Sequence, residues 1–462
     1  MRDGSAMSDP PPKIAYEQPD SQRPTSATPT EQQLEELGKK TPDHDPYAAL
    51  RLSEFRLFVT GFSITTIASQ IQTVAVGYEI YQKTHSALNL GWVGLVLAVP
   101  VLVLALPAGQ LADTHSRRTI VMLMQINAAI CVLGLAGVSY FGANWHHPIA
   151  AMYVLLTIGN IGGTFSRPAR QALLPQLVPA GVFGNAVMWN STVFETASVI
   201  GPAIGGFLCA RSVAFAYVLA ATCFCGSFIL VAALPKVHAA AKENHRPGFT
   251  DLIAGVRYVW KVRLMFSAMT LDLFAVLLGG AVYLLPAFAQ DILHVGPVGF
   301  GWLRAAPSIG AISMAMFQAH RKPMRRAGRT LLIAVAGFGI ATIIFGLSKN
   351  FWLSFAMLIL TGAFDNISVV VRHTLVQLLT PDSMRGRVSA VNQVFIGSSN
   401  ELGGMESGLT AAWLGLVPSV VVGGIGTIIV VAFAALRWPE MRNLGSLQDL
   451  KPAEISDDST AD

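Results

Sequence analysis

Six charged side chains lie inside long apolar stretches of the sequence and away from their ends: Glu195, Asp272, Arg304, Asp365, Glu401 and Glu406. A charged group in hydrocarbon is costly, so such residues mark functional positions by default. Glu195 and Glu401 fall near the middle of their stretches, where desolvation would favour a protonated carboxyl group. We therefore predict that at least one of these two acids exchanges protons with the membrane gradient. A hydrogen-bonded structural acid is the alternative for each.

The remaining charges leave more than one interpretation open. Asp272 and Asp365 are candidates for cavity acids and for proton coupling, although Asp365 could instead act locally with Arg372, seven residues further on. Glu406 lies five residues past Glu401, roughly 140° around a helix, so one of the two is expected to be structural. Arg304 could line a substrate cavity, snorkel to the surface or pair with Asp291.

Uncharged polar residues in the same stretches could contact a cargo. The set is Gln70, Gln72, Asn190 and Asn392. Hydrogen bonding between neighbouring helices is the favoured role for all four. We keep Gln70, Asn190 and Asn392, with Arg304, as candidates for the substrate cavity.

The apolar stretches that carry these residues predict an all-α membrane protein. The 462 residues are 52% hydrophobic and only 13% charged, against roughly 25% charged in soluble domains. Each stretch is close to the roughly 20 residues that a spanning helix needs. The twelve stretches are at about 55–80, 88–112, 119–141, 149–167, 184–209, 213–234, 265–288, 298–318, 330–348, 351–371, 388–412 and 416–436.

Polar segments divide the chain into five predicted parts. The longest interruption, at 235–263, is predicted to be a cytoplasmic linker between six-helix bundles at 51–234 and 264–438. The polar segments 1–50 and 439–462 are predicted to be disordered cytoplasmic tails. No apolar segment follows Met1, so no secretory signal peptide is expected.

The basic residues support this topology. All but four of the 32 Lys and Arg residues fall on one side if the N-terminus is cytoplasmic; the exceptions are Lys83, Arg211, Arg304 and Lys349. Cytoplasmic loops carry such an excess of positive charge. The net charge of +5 therefore reflects topology rather than a nucleic-acid surface. A multi-pass protein of a bacterial inner membrane with both termini cytoplasmic is predicted.

The two halves resemble each other in sequence. The segment from Arg170 to Pro179 aligns without a gap on the segment from Arg372 to Pro381, and Asn190 then falls on Asn392. Each segment follows the fourth stretch of its half. Parallel repeats of this kind are typical of transporters with a pseudo-two-fold axis along the membrane normal.

One loop and one helix carry recognisable motifs. The loop from Gly109 through Asp113 to Arg117 and Arg118 resembles the loop signature of the major facilitator superfamily, although Ser116 and Thr114 depart from it. We expect Gly109 to permit close helix approach, and the two arginines to be held by lipid headgroups or acidic partners. The resemblance implies a charge lock made and broken during alternating access.

The second motif resembles the antiporter motif of that superfamily. Its residues are Gly201, Pro202, Gly205 and Gly206. Glycines four residues apart make a flat face for tight packing, and the proline can kink the helix. Over about 55–438 the chain is similar to the branch that contains the enterobactin exporter, also called transmembrane secretion effectors. This similarity implies proton-coupled export of small molecules such as siderophores or drugs.

Other functions are less well supported by the sequence. It contains no G-x-S-x-G, H-E-x-x-H or G-x-x-x-x-G-K-[ST] motif and no metal-spaced histidine cluster, so neither an enzyme nor a primary pump is expected. No cofactor or metal is predicted, because the proton gradient supplies the energy. The expected partners are a small-molecule substrate and the lipid bilayer, and a monomer is compatible with the sequence. An importer of the same fold and a non-transporting sensor or scaffold are the alternatives.

Overall fold

The computed structural model describes residues 45–142, 146–235, 249–321, 324–381 and 384–447, and these residues are predominantly helical. Most of the predicted tails and the linker segment 236–248 lie outside the described residues. From Tyr47 onward the chain forms one compact unit.

Six long helices make up the first half of the described chain. They are α1 (Ser53–Thr84), α2 (Ala87–Thr114), α3 (Arg117–Phe141), α4 (Pro148–Leu177), α5 (Phe183–Arg211) and α6 (Val213–Ala232). Short 3-10 turns, Ala49–Arg51 and Ala180–Val182, precede α1 and α5. The second half begins with a linker helix and ends with a short one. Its helices are α7 (Phe249–Lys261), α8 (Arg263–Leu278), α9 (Gly296–Ala319), α10 (Ala327–Leu347), α11 (Phe351–Leu379), α12 (Arg385–Leu414), α13 (Leu416–Arg437) and α14 (Pro439–Arg442).

The seventh apolar stretch is a broken helix rather than a continuous one. The α8 helix ends at Leu278, and Gly279 and Gly280 interrupt it. The chain continues as a 3-10 turn (Ala281–Leu284), a single α-turn and a π-helical turn (Phe288–Ile292). Broken helices at membrane depth are tolerated where they are buried in protein or line a cavity.

Local sequence signals set several helix ends. The Ser116 and Ser212 side chains accept hydrogen bonds at the starts of α3 and α6. The Asn350 side chain accepts from the backbone N–H groups of Trp352 and Leu353 at the start of α11, at 2.9 and 3.2 Å. Ser, Asn and related residues satisfy the unpaired N–H groups of a first helical turn in this way. Gly415, with φ of +91°, separates α12 from α13.

The outer surface of the bundle is apolar. On α3, for example, Ile126, Ile130 and Leu133 are exposed along one face. Among the described residues, nine helices are long and apolar enough to span a membrane: α2 to α6, α8 with its continuation, α10, α11 and α13. The other three long helices are α1, α9 and α12. They match the predicted first, eighth and eleventh stretches in position.

Helix packing repeats between the two halves. In the first half α1 packs on α5 and α6, α3 on α4 and α6, and α2 on α4. In the second half α8 packs on α12 and α13, α10 on α11 and α13, and α9 on α11. These are equivalent pairs, because α1 to α6 correspond in order to α8 to α13. The principal contacts between the halves are α2 with α12 and α5 with α9. These two contacts are also equivalent to each other, because α2 corresponds to α9 and α5 to α12.

Candidate transport site

Two of the predicted acids, one from each half, lie within electrostatic range of each other. Glu195 lies in the middle of α5, and Asp365 lies in the middle of α11. Both side chains are half-buried, and they are near enough to interact electrostatically. The two halves therefore contribute one carboxyl group each to the same region.

A third acid, Glu401, is held by the broken helix. The hydroxyl group of Tyr283, just after the break, donates a hydrogen bond to the Glu401 carboxylate. The α12 glycines permit this approach, because a methyl group built on Gly404 would lie 2.8 Å from the Tyr283 ring. The backbone of Glu401 also touches the other half, since a methyl group on Gly94 would lie 2.5 Å from its carbonyl oxygen.

Two arginines from opposite halves complete the surroundings of Glu401. Arg304 of α9 and Arg167 of α4 lie close enough to interact electrostatically with Glu401 and Tyr283. Arg304 is not paired with Asp291, which was one of the alternatives for it. The Asp291 carboxylate instead accepts a hydrogen bond from the Tyr81 hydroxyl, which joins α1 to the segment after the break.

Asp272 forms a buried ion pair with Arg372. The two side chains link α8 to α11, and the residues are only 6% and 3% exposed. Asp272 and Asp365 line one small pocket, but the partner of Arg372 is Asp272. The alternative local pairing of Arg372 with Asp365 is therefore not the arrangement in the structure.

The repeat-related arginine of the first half has a different partner. The guanidinium group of Arg170 lies 4.5 Å from the ring centre of Phe62 on α1. Phe62 stacks on Phe194 of α5, with ring centres 6.1 Å apart. Arg170 and the two rings thus join α4, α1 and α5.

The predicted polar candidates have contrasting surroundings. The Oδ1 atoms of Asn190 and Asn392, which are related by the repeat, are both buried and have no hydrogen-bond partner among the described residues. Gln70 packs against α5, because a methyl group on Gly201 would lie 2.6 Å from its Cβ atom. The structure describes no hydrogen bond for Gln72.

The α5 glycine motif packs on two different helices. Gly201 and Gly205 face α1, and a methyl group on Gly205 would lie 3.2 Å from the Ile71 Cα atom. Gly206 faces α9 of the other half, where an added methyl group would lie 2.5 Å from the Pro297 carbonyl oxygen and 2.8 Å from the Gly301 Cα atom. The motif therefore serves both packing within a half and contact between halves.

The α2 and α12 helices make the equivalent contact. A methyl group on Gly408 would lie 2.5 Å from the Gly91 Cα atom. Gly91 is near the start of α2 and Gly408 near the end of α12, while Gly206 and Gly301 are near the end of α5 and the start of α9. All of these positions lie at the predicted outer ends of the helices, so the glycine contacts join the halves at one end of the bundle.

The loop between α2 and α3 differs from expectation in its contacts. No atom lies within 4 Å of a methyl group built on Gly109, so close helix approach does not occur there. Asp113 is exposed and has no ion-pair partner in the described parts of the chain.

The two arginines of this loop bind backbone carbonyls rather than acids. Arg117 Nη1 donates to the Ala172 carbonyl of α4 at 3.0 Å. Arg118 donates to the carbonyls of Val231 and Ala232, the last residues of α6. Cations at a helix C-terminus satisfy unpaired carbonyls and complement the helix dipole.

Sequence reasoning missed two buried polar groups. Glu79, near the end of α1, is 2% exposed and pairs with Lys83 one turn later, at 2.6 Å. The signal was present, because an acid and a base four residues apart fall at the end of the first stretch. Gln125 of α3 donates to Thr65 of α1 and Ser227 of α6, at 2.7 and 3.1 Å. No sequence spacing predicts that these three residues meet.

The family of this chain follows from comparison with known proteins. Residues 44–458 match the family of transmembrane secretion effectors. The chain belongs to the transmembrane secretion effectors of the major facilitator superfamily. It is similar to the enterobactin exporter EntS of Citrobacter koseri, with 26% identity over 406 residues, 86% of this chain and 93% of the exporter. The EntS protein of Escherichia coli K12 is also 26% identical, over 87% of this chain and 93% of its own length.

Solved structures with the same fold as this secretion effector are also transporters. A bacterial homolog of the human lysosomal transporter Spinster, inward-facing and unoccupied, covers 84% of this chain and 98% of its own, with a TM-score of 0.65 and 15% identity. A POT family transporter in complex with 5-aminolevulinic acid covers 84% of this chain and 97% of its own, with a TM-score of 0.66 and 10% identity. The expectation of a membrane transporter rather than an enzyme is confirmed.

Proposed function

We propose that the chain is a proton-coupled exporter of small molecules that works by alternating access of two six-helix bundles. The equivalent helix contacts of α1–α6 and α8–α13 support two pseudo-symmetric bundles with twelve spanning helices. The distribution of basic residues supports an inner-membrane location with both termini cytoplasmic. Glycine contacts at the outer ends would then close the outer side in this conformation.

The observation that carries the coupling proposal is that Glu195 and Asp365, one from each half, lie within electrostatic range of each other. Two neighbouring carboxyl groups in a desolvated site cannot both be charged at low cost. Taking up or releasing a proton there would change the repulsion between the two carboxyl groups, and hence between the bundles. Glu401 is the second coupling candidate, because its backbone lies at the α2–α12 contact and its side chain binds Tyr283. Asp272 has a structural role in this proposal, as the partner of Arg372.

The surroundings of the acids also suggest a class of cargo. Arg170 with Phe62 and Phe194 offers a cation beside aromatic faces, and Arg304 and Arg167 add two cations near Glu401. Aromatic compounds with acidic groups fit such a site, because the ring can stack and the acid can pair with guanidinium. The similarity to enterobactin exporters supports a siderophore as the first compound to test.

Purified protein in liposomes with an imposed pH gradient tests the proposal. Addition of catechol siderophores should drive proton movement in the wild type, and Asp365→Asn or Glu401→Gln should abolish it. Glu406→Gln is the matched control, because Glu406 lies on the same helix and its side chain interacts with Ser407 rather than Tyr283.

The outcomes separate the alternatives. Proton movement in the same direction as the substrate would favour an importer of this fold. Substrate-independent behaviour, with both acid substitutions tolerated, would support a sensor or scaffold instead.

A further inference from the structure

One face of the linker helix α7 packs on the second half of the chain. A methyl group built on Gly255 would lie 2.8 Å from the Arg387 carbonyl oxygen at the start of α12. The Tyr258 hydroxyl donates to the Leu379 carbonyl, at the end of α11, at 2.6 Å. These contacts place α7 beside the end of α11 and the start of α12. The loop between these two helices is one of the predicted cytoplasmic loops that carry most of the Lys and Arg residues.

The opposite face of α7 is apolar and exposed. Ile253, Val256 and Trp260 are 45%, 37% and 69% exposed, at the spacing of one helix face. Arg257 and Lys261 are exposed beside them, and the five residues line one shallow cleft. We call these five residues the α7 strip. Apolar and basic residues side by side are typical of helices that lie in the membrane interface.

Aromatic side chains connect the α7 strip to the spanning helices. The rings of Trp260 and Phe266 of α8 are 5.9 Å apart, and those of Phe266 and Trp438 are 6.1 Å apart. Phe433 of α13 continues the series, 6.1 Å from Trp438. Tryptophan is enriched at the headgroup level of membranes. The strip is therefore continuous with the lipid-facing surface of α8 and α13.

We propose that the α7 strip binds the headgroups of anionic phospholipids in the cytoplasmic leaflet. Trp260 and its apolar neighbours enter the boundary of the acyl region, while Arg257 and Lys261 pair with headgroup phosphates. Charge complementarity favours anionic lipid over zwitterionic lipid, by about five-fold for each cation near the surface. This inference does not rest on the proposed transport function.

Quenching of Trp260 by brominated lipids tests the inference. The full chain is placed in phosphatidylcholine nanodiscs that contain increasing fractions of brominated phosphatidylglycerol or brominated phosphatidylcholine. The Trp260 signal is the difference between the wild type and Trp260→Phe. We expect brominated phosphatidylglycerol to reach half-maximal quenching at a roughly twenty-five-fold lower lipid fraction than brominated phosphatidylcholine, because each of the two cations contributes a preference of about five-fold.

Two charge variants distinguish this site from a general charge effect. Arg257→Gln with Lys261→Gln should bring the two quenching curves together. Arg325→Gln with Arg326→Gln removes two exposed cations between α9 and α10 and should leave the preference unchanged. The inference is overturned if Trp260 is not quenched by either lipid, if both lipids quench equally, or if both variant pairs reduce the preference alike.

Discussion

A side chain at Gly206 should open the contact between α5 and α9. A methyl group there would lie 2.5 Å from the Pro297 carbonyl oxygen and 2.8 Å from the Gly301 Cα atom. Both neighbours are backbone atoms, so no rotamer change can relieve the clash. Because carbon atoms pack at about 3.5–4.0 Å, the two helices must separate by roughly 1 Å.

Overpacking of this kind costs typically about 1–3 kcal/mol. If the clash exists only in the state that is closed at the outer ends, Gly206→Ala shifts the equilibrium away from that state by roughly 5- to 150-fold. Spin labels at the exposed positions Phe141 and Lys349, in a variant without native cysteines, would report this shift as a longer distance between the outer ends.

Gly137→Ala is the matched control. An added methyl group at Gly137 on α3 meets no atom within 4 Å. A distance distribution in Gly206→Ala that equals those of the wild type and of the control would refute the steric argument, provided that the variant is folded.

Three further predictions concern individual contacts. Arg372→Met leaves Asp272 buried without a partner and should lower the free energy of unfolding by about 3–5 kcal/mol; thermal melts should show partial recovery in the double variant with Asp272→Asn. Tyr283→Phe removes the hydrogen bond to Glu401, so the carboxyl band that disappears in Glu401→Gln should shift in infrared spectra; an unmoved band contradicts the assignment. Arg118→Ala removes two hydrogen bonds from the end of α6, and hydrogen exchange should become several-fold faster there, whereas Arg118→Lys should retain partial protection.

Hydropathy alone placed one predicted stretch on each of the twelve long helices of the described chain. It ended the fourth and tenth stretches at 167 and 371, whereas α4 and α11 continue to Leu177 and Leu379. It did not reveal the break in α8. Gly279 and Gly280 lie within an apolar run, and nothing in composition distinguishes a glycine pair that interrupts a helix from one that packs inside it. Gly403 and Gly404, by contrast, lie within the continuous α12 helix, where Gly404 packs against the Tyr283 ring.

The sequence identifies the charged residues of the site but not the residues with which they interact. A charge in an apolar stretch is visible in sequence, so Glu195, Asp365 and Glu401 could be selected. Their neighbours depend on how helices far apart in the chain pack. Arg372 is seven residues from Asp365, on the same side of α11, yet its partner is Asp272, one hundred residues earlier.

The repeat gives a physical reason for that pairing. Arg170 and Arg372 are equivalent, and each reaches the tenth residue of the first helix of its half, Phe62 in α1 and Asp272 in α8. The same packing thus presents an aromatic face to one arginine and a carboxylate to the other. Because Asp272 neutralises Arg372, that arginine is not the partner of Asp365. Asp365 instead lies within electrostatic range of Glu195 of the other half. In the first half the Arg170 guanidinium lies over the Phe62 ring instead of pairing with a carboxylate. The two otherwise equivalent halves therefore differ in how they hold this arginine: a carboxylate neutralises Arg372, whereas Arg170 keeps its charge over an aromatic ring.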